Sequence, residues 1–272
     1  MMENLQNLHT HTTFCDGCDT PEEMVLAAIG KGFSSIGFSG HSYMSYSPYY
    51  IKLGDKTAEY KKEIIRLKEK YRSEIEIFLG LEVDMYSQPD MSGYDYLIGS
   101  VHYFKIGNEF VAFDRNLDVV KNVINEYFGG NGMEYAKAYY KECTYLPEFG
   151  NFDILGHFDL ITKHSDTEKL FDENSKEYRT WVSESLEALS GKIPFFEVNT
   201  GAISRNYRKT PYPAPFIVKE MKRLGFGAVI TSDCHNKDFL DCNFEEARQL
   251  LLECGYTERY ILTKNGFCAV AI

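Results

Sequence analysis

Six of the seven histidines in this chain stand at or just past the end of a short apolar run. His9 and His11 follow Asn7-Leu8, and His41 ends Ile36-Gly37-Phe38-Ser39-Gly40-His41. His102 ends Leu97-Ile98-Gly99-Ser100-Val101-His102, His157 follows Asp153-Ile154-Leu155-Gly156, and His235 closes Val229-Ile230-Thr231-Ser232-Asp233-Cys234-His235. Three acids occupy matching places: Asp16 after the first run, Glu82 at the end of the third and Asp233 at the end of the last. Imidazole mixed with carboxylate suits borderline divalent metals such as zinc, manganese or iron. Nine such side chains exceed what one tetrahedral ion can use, whereas three ions sharing bridging carboxylates would use them all. Three divalent ions against three carboxylates leave about +3, enough to hold a phosphate dianion inside an acidic protein. The implied chemistry is hydrolysis, because metal-bound water ionises near neutral pH and neighbouring ions neutralise charge on a phosphoryl group. Taken singly, each residue also has an ordinary role: a histidine after a strand bonds a loop, and an acid before a helix meets its dipole. His164, in the polar loop Lys163-His164-Ser165-Asp166, is of that kind. The metal reading rests on repetition at six strand ends.

Residues so far apart in sequence meet only if the preceding runs share one sheet. Leu5–Leu8, Ser35–Ser39, Ile75–Val83, Tyr96–Val101, Phe152–Leu155, Ile193–Val198 and Gly227–Thr231 read as strands. Several are continuously apolar, as in a parallel sheet covered on both faces. Between them lie helical stretches. Thr20-Pro21-Glu22-Glu23 supplies an N-cap, a first-turn proline and a capping-box glutamate, and that helix stops near Gly30–Gly32. Others are expected near Lys56–Arg72, Leu117–Tyr127, Met133–Tyr145, Asn174–Leu189, Ala214–Leu224 and Phe244–Cys254. The last begins with Asn243 as cap and Glu246 three residues on, and Gly255 ends it. Strands alternating with helices predict an α/β chain of parallel βα units closing into a barrel. An open doubly wound sheet would carry a glycine-rich turn after its first strand, where this chain reads His9-Thr10-His11. In a barrel the strand C-termini converge on one face, which brings the nine side chains together.

The 272 residues are 44% hydrophobic and 25% charged, an ordinary globular composition that excludes collagen-like, coiled-coil and disordered chains. The length suits one α/β domain over residues 1–272. Forty acidic and 29 basic residues give a net charge of −11, which weighs against nucleic acid as a partner. No apolar run approaches the roughly 20 residues of a membrane span. Met1-Met2-Glu3-Asn4-Leu5-Gln6-Asn7 lacks the basic and apolar regions of a signal peptide. Seven scattered cysteines suggest free thiols and a cytoplasmic location. Cys15-x-x-Cys18 has no second pair to complete a zinc site.

The ordered set His9-Thr10-His11-Thr12 with Asp16-Gly17, Ser39-Gly40-His41, Gly80-Leu81-Glu82, Gly99-Ser100-Val101-His102, Gly156-His157-Phe158-Asp159 and Ser232-Asp233-Cys234-His235 resembles the polymerase-and-histidinol-phosphatase (PHP) family of metal-dependent phosphoesterases. The resemblance implies a distorted (β/α)7 barrel with three divalent ions. Carried over, His9, His11, Glu82 and Asp233 would hold the first; bridging Glu82 with His102 and His157 the second; Asp16, His41 and His235 the third. Many members read Thr-Asp-His where this chain reads Ser39-Gly40-His41, so the histidine is kept and an acid beside it is lost. Within the family, the length, Glu197-Val198-Asn199-Thr200-Gly201-Ala202-Ile203-Ser204-Arg205, Asp95–His102 and the aromatic loop Tyr43–Tyr50 are similar to the stand-alone histidinol-phosphate phosphatases. No polymerase or helix-hairpin-helix segment accompanies them. The resemblance thus implies hydrolysis of L-histidinol phosphate, a small phosphomonoester of histidine biosynthesis, by in-line attack of hydroxide bridging two ions.

Arg205, in the loop after the sixth strand, is a candidate phosphate clamp, or else a surface ion pair or loop brace. Arg115, Arg208 and Lys209 are less well placed. Asn199 would bond substrate or tie its own loop. Tyr43, Tyr46, Tyr49, Tyr50 and Phe14 offer rings for an imidazole substrate, or ordinary packing. The leaving alkoxide needs a proton, for which Asp233, His235 or a metal-bound water would serve. Two other readings stay open. A phosphoesterase acting on nucleotides or short oligonucleotides would want a basic, stacking groove, and a non-catalytic metal-binding domain would saturate its ions with protein ligands.

Overall fold

The protein was described as a computed structural model, in which residues 4–47 and 54–272 are characterised. Their strands are β1 Gln6–Asn7, β2 Ser35–Phe38, β3 Glu76–Asp84, β4 Tyr96–Ser100, β5 Tyr103–Ile106, β6 Glu109–Ala112, β7 Ile154–Leu155, β8 Phe195–Asn199, β9 Gly227–Thr231, β10 Glu258–Thr263 and β11 Gly266–Ala271. Seven of them, in the order β1-β2-β3-β4-β7-β8-β9, form one parallel sheet. The sheet curls into a nearly closed barrel whose seam lies just past β1 and β9. There Thr10 pairs with Cys234 in parallel, the His11 N–H donates to the Cys234 carbonyl at 2.9 Å, and the Asn7 amide donates to Ser232 Oγ at 2.6 Å.

One large side chain fills much of the barrel. Tyr96, 1% exposed, projects inward from β4, and its hydroxyl donates to the Leu8 carbonyl across the lumen. Glycine on the two preceding strands, β2 and β3, makes this possible. A Cβ at Gly37 or Gly80 would lie 2.4 or 2.2 Å from atoms of the Tyr96 ring system. Leu8, Phe78, Ile98, Ile154 and Val229 complete this inner core, and Leu262 plugs its base. Leu262 belongs to the antiparallel β10–β11 hairpin, which Gln6 ties to the barrel by exchanging two 2.8 Å hydrogen bonds with the Leu262 backbone.

Helices cover the outside. The helix Pro21–Gly30 starts at the capping box read from the sequence, with Thr20 and Glu23 each accepting from the other's backbone N–H. It buries Met24, Val25 and Ala28 at the spacings expected of one apolar face. Helices also occupy Thr57–Lys70, Leu117–Phe128, Gly132–Cys143, Lys176–Leu189, Pro215–Arg223 and Phe244–Glu253. Two expectations need correction. β4 leads not into a helix but into the antiparallel β5–β6 hairpin, and a second hairpin ends the described chain. Asn243 caps nothing: its backbone is left-handed (φ 53°), whereas a capping side chain needs an extended one. Tyr49 and Tyr50 lie outside the described residues. None of the described helices is long and apolar enough to cross a membrane.

Candidate metal centre

The extended chain leaving β1 sends alternate side chains to opposite sides. His9 and His11 therefore share a side, while the Thr10 hydroxyl turns away to donate to the Gly37 carbonyl at 2.8 Å. β3 runs on past the end of β2 and carries Glu82 to the middle of the barrel mouth, where His41 pairs with it across the sheet. Glu82 is fully buried and surrounded by five imidazoles. Its Oε2 lies 2.8 Å from His41 Nδ1, 3.4 Å from His9 Nε2 and 3.6 Å from His11 Nε2. Its Oε1 lies 3.0 Å from His157 Nε2 and 3.4 Å from His102 Nε2. Asp233 Oδ1 stands 3.1 Å from His11 Nε2, and Asp16 Oδ2 stands 3.3 Å from His235 Nε2.

All nine side chains thus meet at one mouth. They fall into four overlapping groups, in each of which the ligand atoms lie within 4.8 Å of one another: His11-Asp16-His41-His235, His9-Glu82-His157, His9-His11-Asp233 and His41-Glu82-His102. The geometry matches divalent metals on two counts. His9 Nε2 is buried with no hydrogen-bond partner among the described residues, a costly state for a polar atom that a cation relieves. His102 Nε2 and His157 Nε2 also face each other at 3.3 Å, where two lone pairs can converge on an ion.

Without a metal, protons take over part of the cation's task. Burial disfavours charged His9, yet the Glu197, Asp233 and Glu82 carboxylates outweigh it and hold that imidazole well above its usual value. His41 is raised in the same way against burial by Glu82 and Asp16. His11 goes the other way, to about 3, because burial combines with the neighbouring His235 and His41. Glu82, Asp16 and Asp233 are all held well below the carboxylate range, the surrounding cations outweighing burial. Asp233 also sits in a left-handed backbone conformation (φ 44°), a local strain of the sort that clusters at functional sites.

The cluster opens into a cavity of about 230 Å³ whose outer wall includes Arg205, Lys163, Asp114 and Tyr207. The Arg205 guanidinium leans on the cluster, 3.0 Å from Asp233 Oδ2 and 2.7 Å from His235 Nδ1. Lys163 pairs with Asp114 at 2.6 Å. A second space of about 220 Å³ adjoins the first and is lined by Met44, Ser47, Tyr103, Ala112 and Arg115.

Other sequence candidates lie as follows. The Asn199 amide is buried and spent internally, donating to Glu197 Oε1 and Asp233 Oδ2 and accepting from the Gly201 N–H, so it ties the loop that carries Arg205. Tyr43 and Phe14 line a narrow crevice beside His41. Tyr46 stacks on Phe110 at 4.2 Å and gives its hydroxyl to Asp84. Arg208 is buried with Asp159 and Thr162, and the Lys209 N–H donates to Asp166. The cysteines form no disulfide, and no cysteine belongs to a metal-competent group among the described residues.

Two buried acids escaped the sequence reading as supports. Asp84 accepts the His102 N–H at 3.2 Å and lies 3.3 Å from its Nδ1. Glu197 accepts from His9 Nδ1 at 2.8 Å. Each had a signal: Asp84 follows Glu82 at strand spacing, and Glu197 is a lone charge inside the apolar run Pro194-Phe195-Phe196-Glu197-Val198. Asp114 and Lys163 lie in loops whose meeting no local pattern announces.

The chain is 27% identical over 268 residues to the "Probable histidinol-phosphatase" of Deinococcus radiodurans, covering 93% of this chain and 95% of that protein. It is 27% identical over 252 residues to the histidinol-phosphatase of Bacillus subtilis, covering 84% and 92%. Its fold matches the crystal structure of histidinol phosphate phosphatase from Lactococcus lactis, complexed with zinc, L-histidinol and phosphate, with a TM-score of 0.75 and 23% identity over 97% of this chain and 99% of that one. The family model of the PHP domain matches residues 7–201, a stretch holding seven of the nine clustered side chains, and the chain belongs to that family.

Proposed function

We propose that this chain is a histidinol-phosphatase: a metal-dependent phosphomonoesterase that hydrolyses L-histidinol phosphate to L-histidinol and phosphate in histidine biosynthesis, as one cytoplasmic catalytic unit over residues 1–272. The observation that carries this reading is the cluster of nine ligand-type side chains around Glu82, open to a cavity that Arg205 overhangs. The names of the relatives in Deinococcus and Bacillus support the substrate, and so do the zinc, L-histidinol and phosphate held by the Lactococcus neighbour.

Three ions would account for all nine side chains: His9, His11, Glu82 and Asp233 would hold one, Glu82, His102 and His157 a second, and Asp16, His41 and His235 a third. Zinc is the first choice, and manganese or iron suits the same donors. Bound divalent ions supply Lewis acidity toward a phosphoryl group and bring the ionisation of water near neutral pH. The protein's own groups do the rest. Arg205 is placed to grip phosphate oxygens with its planar fork. Asp233 or His235, beside it at the mouth, would relay a proton from water to the departing alkoxide, or a metal-bound water would supply it. The adjoining space between Met44, Tyr103 and Ala112 would receive the leaving alcohol, and its volume suits a small molecule better than a nucleic-acid strand; Tyr43 lines the separate crevice beside His41.

The test is steady-state phosphate release by zinc-reconstituted protein from L-histidinol phosphate, AMP, a dinucleotide and p-nitrophenyl phosphate. A kcat/KM highest for L-histidinol phosphate and abolished in His9→Ala is the expected result. Equal, slow turnover of all four would overturn the substrate, and zinc uptake without turnover would leave a metal-binding protein.

A further inference from the structure

Glu197 lies on β8 with none of its surface exposed, on the opposite side of the His9 ring from Glu82. Four donors saturate its two oxygens. Oε2 accepts from His9 Nδ1 at 2.8 Å and from the Thr231 hydroxyl at 2.7 Å. Oε1 accepts from the His157 backbone N–H at 2.7 Å and from the Asn199 amide at 2.8 Å. The Asn199 amide cannot turn over, because its own Oδ1 accepts the Gly201 N–H at 2.8 Å. The His157 N–H and the Asn199 amide are obligatory donors on Oε1, and a carboxylate is free to accept from His9 and Thr231 on Oε2 as well.

We infer that Glu197 is a positioning residue of the metal centre, which keeps the His9 proton on Nδ1 and aims the bare Nε2 at the cluster, while its second oxygen holds the end of β7 at His157. The inference rests on the reading that the cluster binds zinc. A histidine ligand presents a lone pair to a metal only when its proton is carried by the other nitrogen, and a carboxylate behind the ring enforces that tautomer. Glu197 does this for His9, and it fixes the backbone of a second candidate ligand from another strand. One buried acid therefore couples two of the four groups, His9-His11-Asp233 and His9-Glu82-His157.

Glutamine at this position has the same shape but must point an NH2 at one pair of donors. If it faces Thr231 and His9, the imidazole must accept on Nδ1 and carry its proton on Nε2, where an ion would bind. If it faces His157 and Asn199, buried donors oppose each other with nothing to accept. Thr231→Val removes one hydrogen bond to Glu197 and leaves the tautomer untouched.

The experiment compares zinc affinity and stoichiometry, by chelator competition and elemental analysis, in wild type, Glu197→Gln and Thr231→Val. Thermal unfolding of each metal-free protein serves as the control for folding. We expect Glu197→Gln to weaken zinc binding by about 10–100-fold while at least one ion, at Asp16, His41 and His235, is retained. Thr231→Val should bind as wild type does. A brace for β8 alone would lower the unfolding temperature of both variants and leave zinc affinity unchanged, which would overturn the inference. Long-range proton–nitrogen NMR of the His9 ring in zinc-loaded wild type is independent of how the variants fold. A proton on Nδ1 supports the inference, and a proton on Nε2 overturns it. Wild type that takes up no zinc would overturn the metal reading and this inference together, whereas normal loading in Glu197→Gln overturns this inference alone.

Discussion

The Arg205 guanidinium touches both Asp233 and His235 while lining the cavity, so it can meet a phosphate and brace Asp233 from one position. Burial disfavours its charge but Asp233 more than compensates, so it remains a cation at any working pH. A phosphate clamp and a brace for Asp233 leave different signatures. Losing the clamp removes charge-assisted hydrogen bonds to the substrate, so Arg205→Ala should lose about 1.5–3 kcal/mol of transition-state binding, read as kcat/KM, at unchanged zinc content. Arg205→Lys should recover only part, since a lysine returns the charge without the planar fork. If zinc content falls with activity in Arg205→Ala, the residue is a brace. At this scale the nine candidate ligands were legible because each follows a recognisable strand. Glu197 was named only as part of a family-like stretch, its role hidden because its partners come from β1, β7 and β9 and their contact exists only once the barrel closes.

The barrel strands depend on an arrangement in which one strand's side chain occupies space left by glycine on others. Tyr96 on β4 passes over Gly80 on β3 and Gly37 on β2, and a methyl at Gly80 would lie 2.2 Å from the ring. The ring is enclosed and bonded to the Leu8 carbonyl, so it has nowhere to retreat. Gly80→Ala should therefore destabilise the protein by about 1–3 kcal/mol or more through overpacking, measured as a fall in the urea midpoint. Gly30→Ala is the matched control: its Cβ meets nothing within 4 Å, and in a helix it should be neutral or stabilising by up to about 1 kcal/mol. Equal losses at the two sites would mean that the lumen adapts. The barrel strands and main helices could be read from apolar runs and caps, since burial on both faces leaves a plain signal. The hairpins were not, although Gly107-Asn108 is a turn dipeptide of the right kind; the second hairpin turns at Lys264-Asn265. β6 and β11 are largely exposed, so the burial on both faces that marks the barrel strands is missing from them.

The whole molecule carries a net charge of −11 yet gathers six imidazoles at one end of its barrel, and its stability must depend on what neutralises that end. In the metal-free protein, His9 and His41 titrate above the usual imidazole value, as does His102, where Glu82 and Asp84 outweigh burial. A raised folded value contributes stability that is fully present below about pH 6.5 and is lost as pH rises through that value. His11, lowered to about 3, has the opposite sign: its contribution is present above about pH 6.5 and lost as pH falls toward 3. Asp16, Glu82 and Asp233, held low, contribute above about pH 4 and lose that contribution only in stronger acid. Between about pH 6 and 8 the proton-linked support from His9, His41 and His102 is therefore the part being lost. A bound divalent ion replaces those protons, so its affinity should rise over the same range. At 100 times its Kd, one ion adds about 2.7 kcal/mol, which for a protein of this size is about 5–11 °C in Tm. We therefore expect the gap in Tm between zinc-loaded and chelator-treated protein to reach at least that size near pH 8 and to shrink steadily toward pH 6. Scanning calorimetry of both forms across this range is the check. A gap that stays constant with pH would mean that zinc displaces no protons from these imidazoles, and that it binds elsewhere.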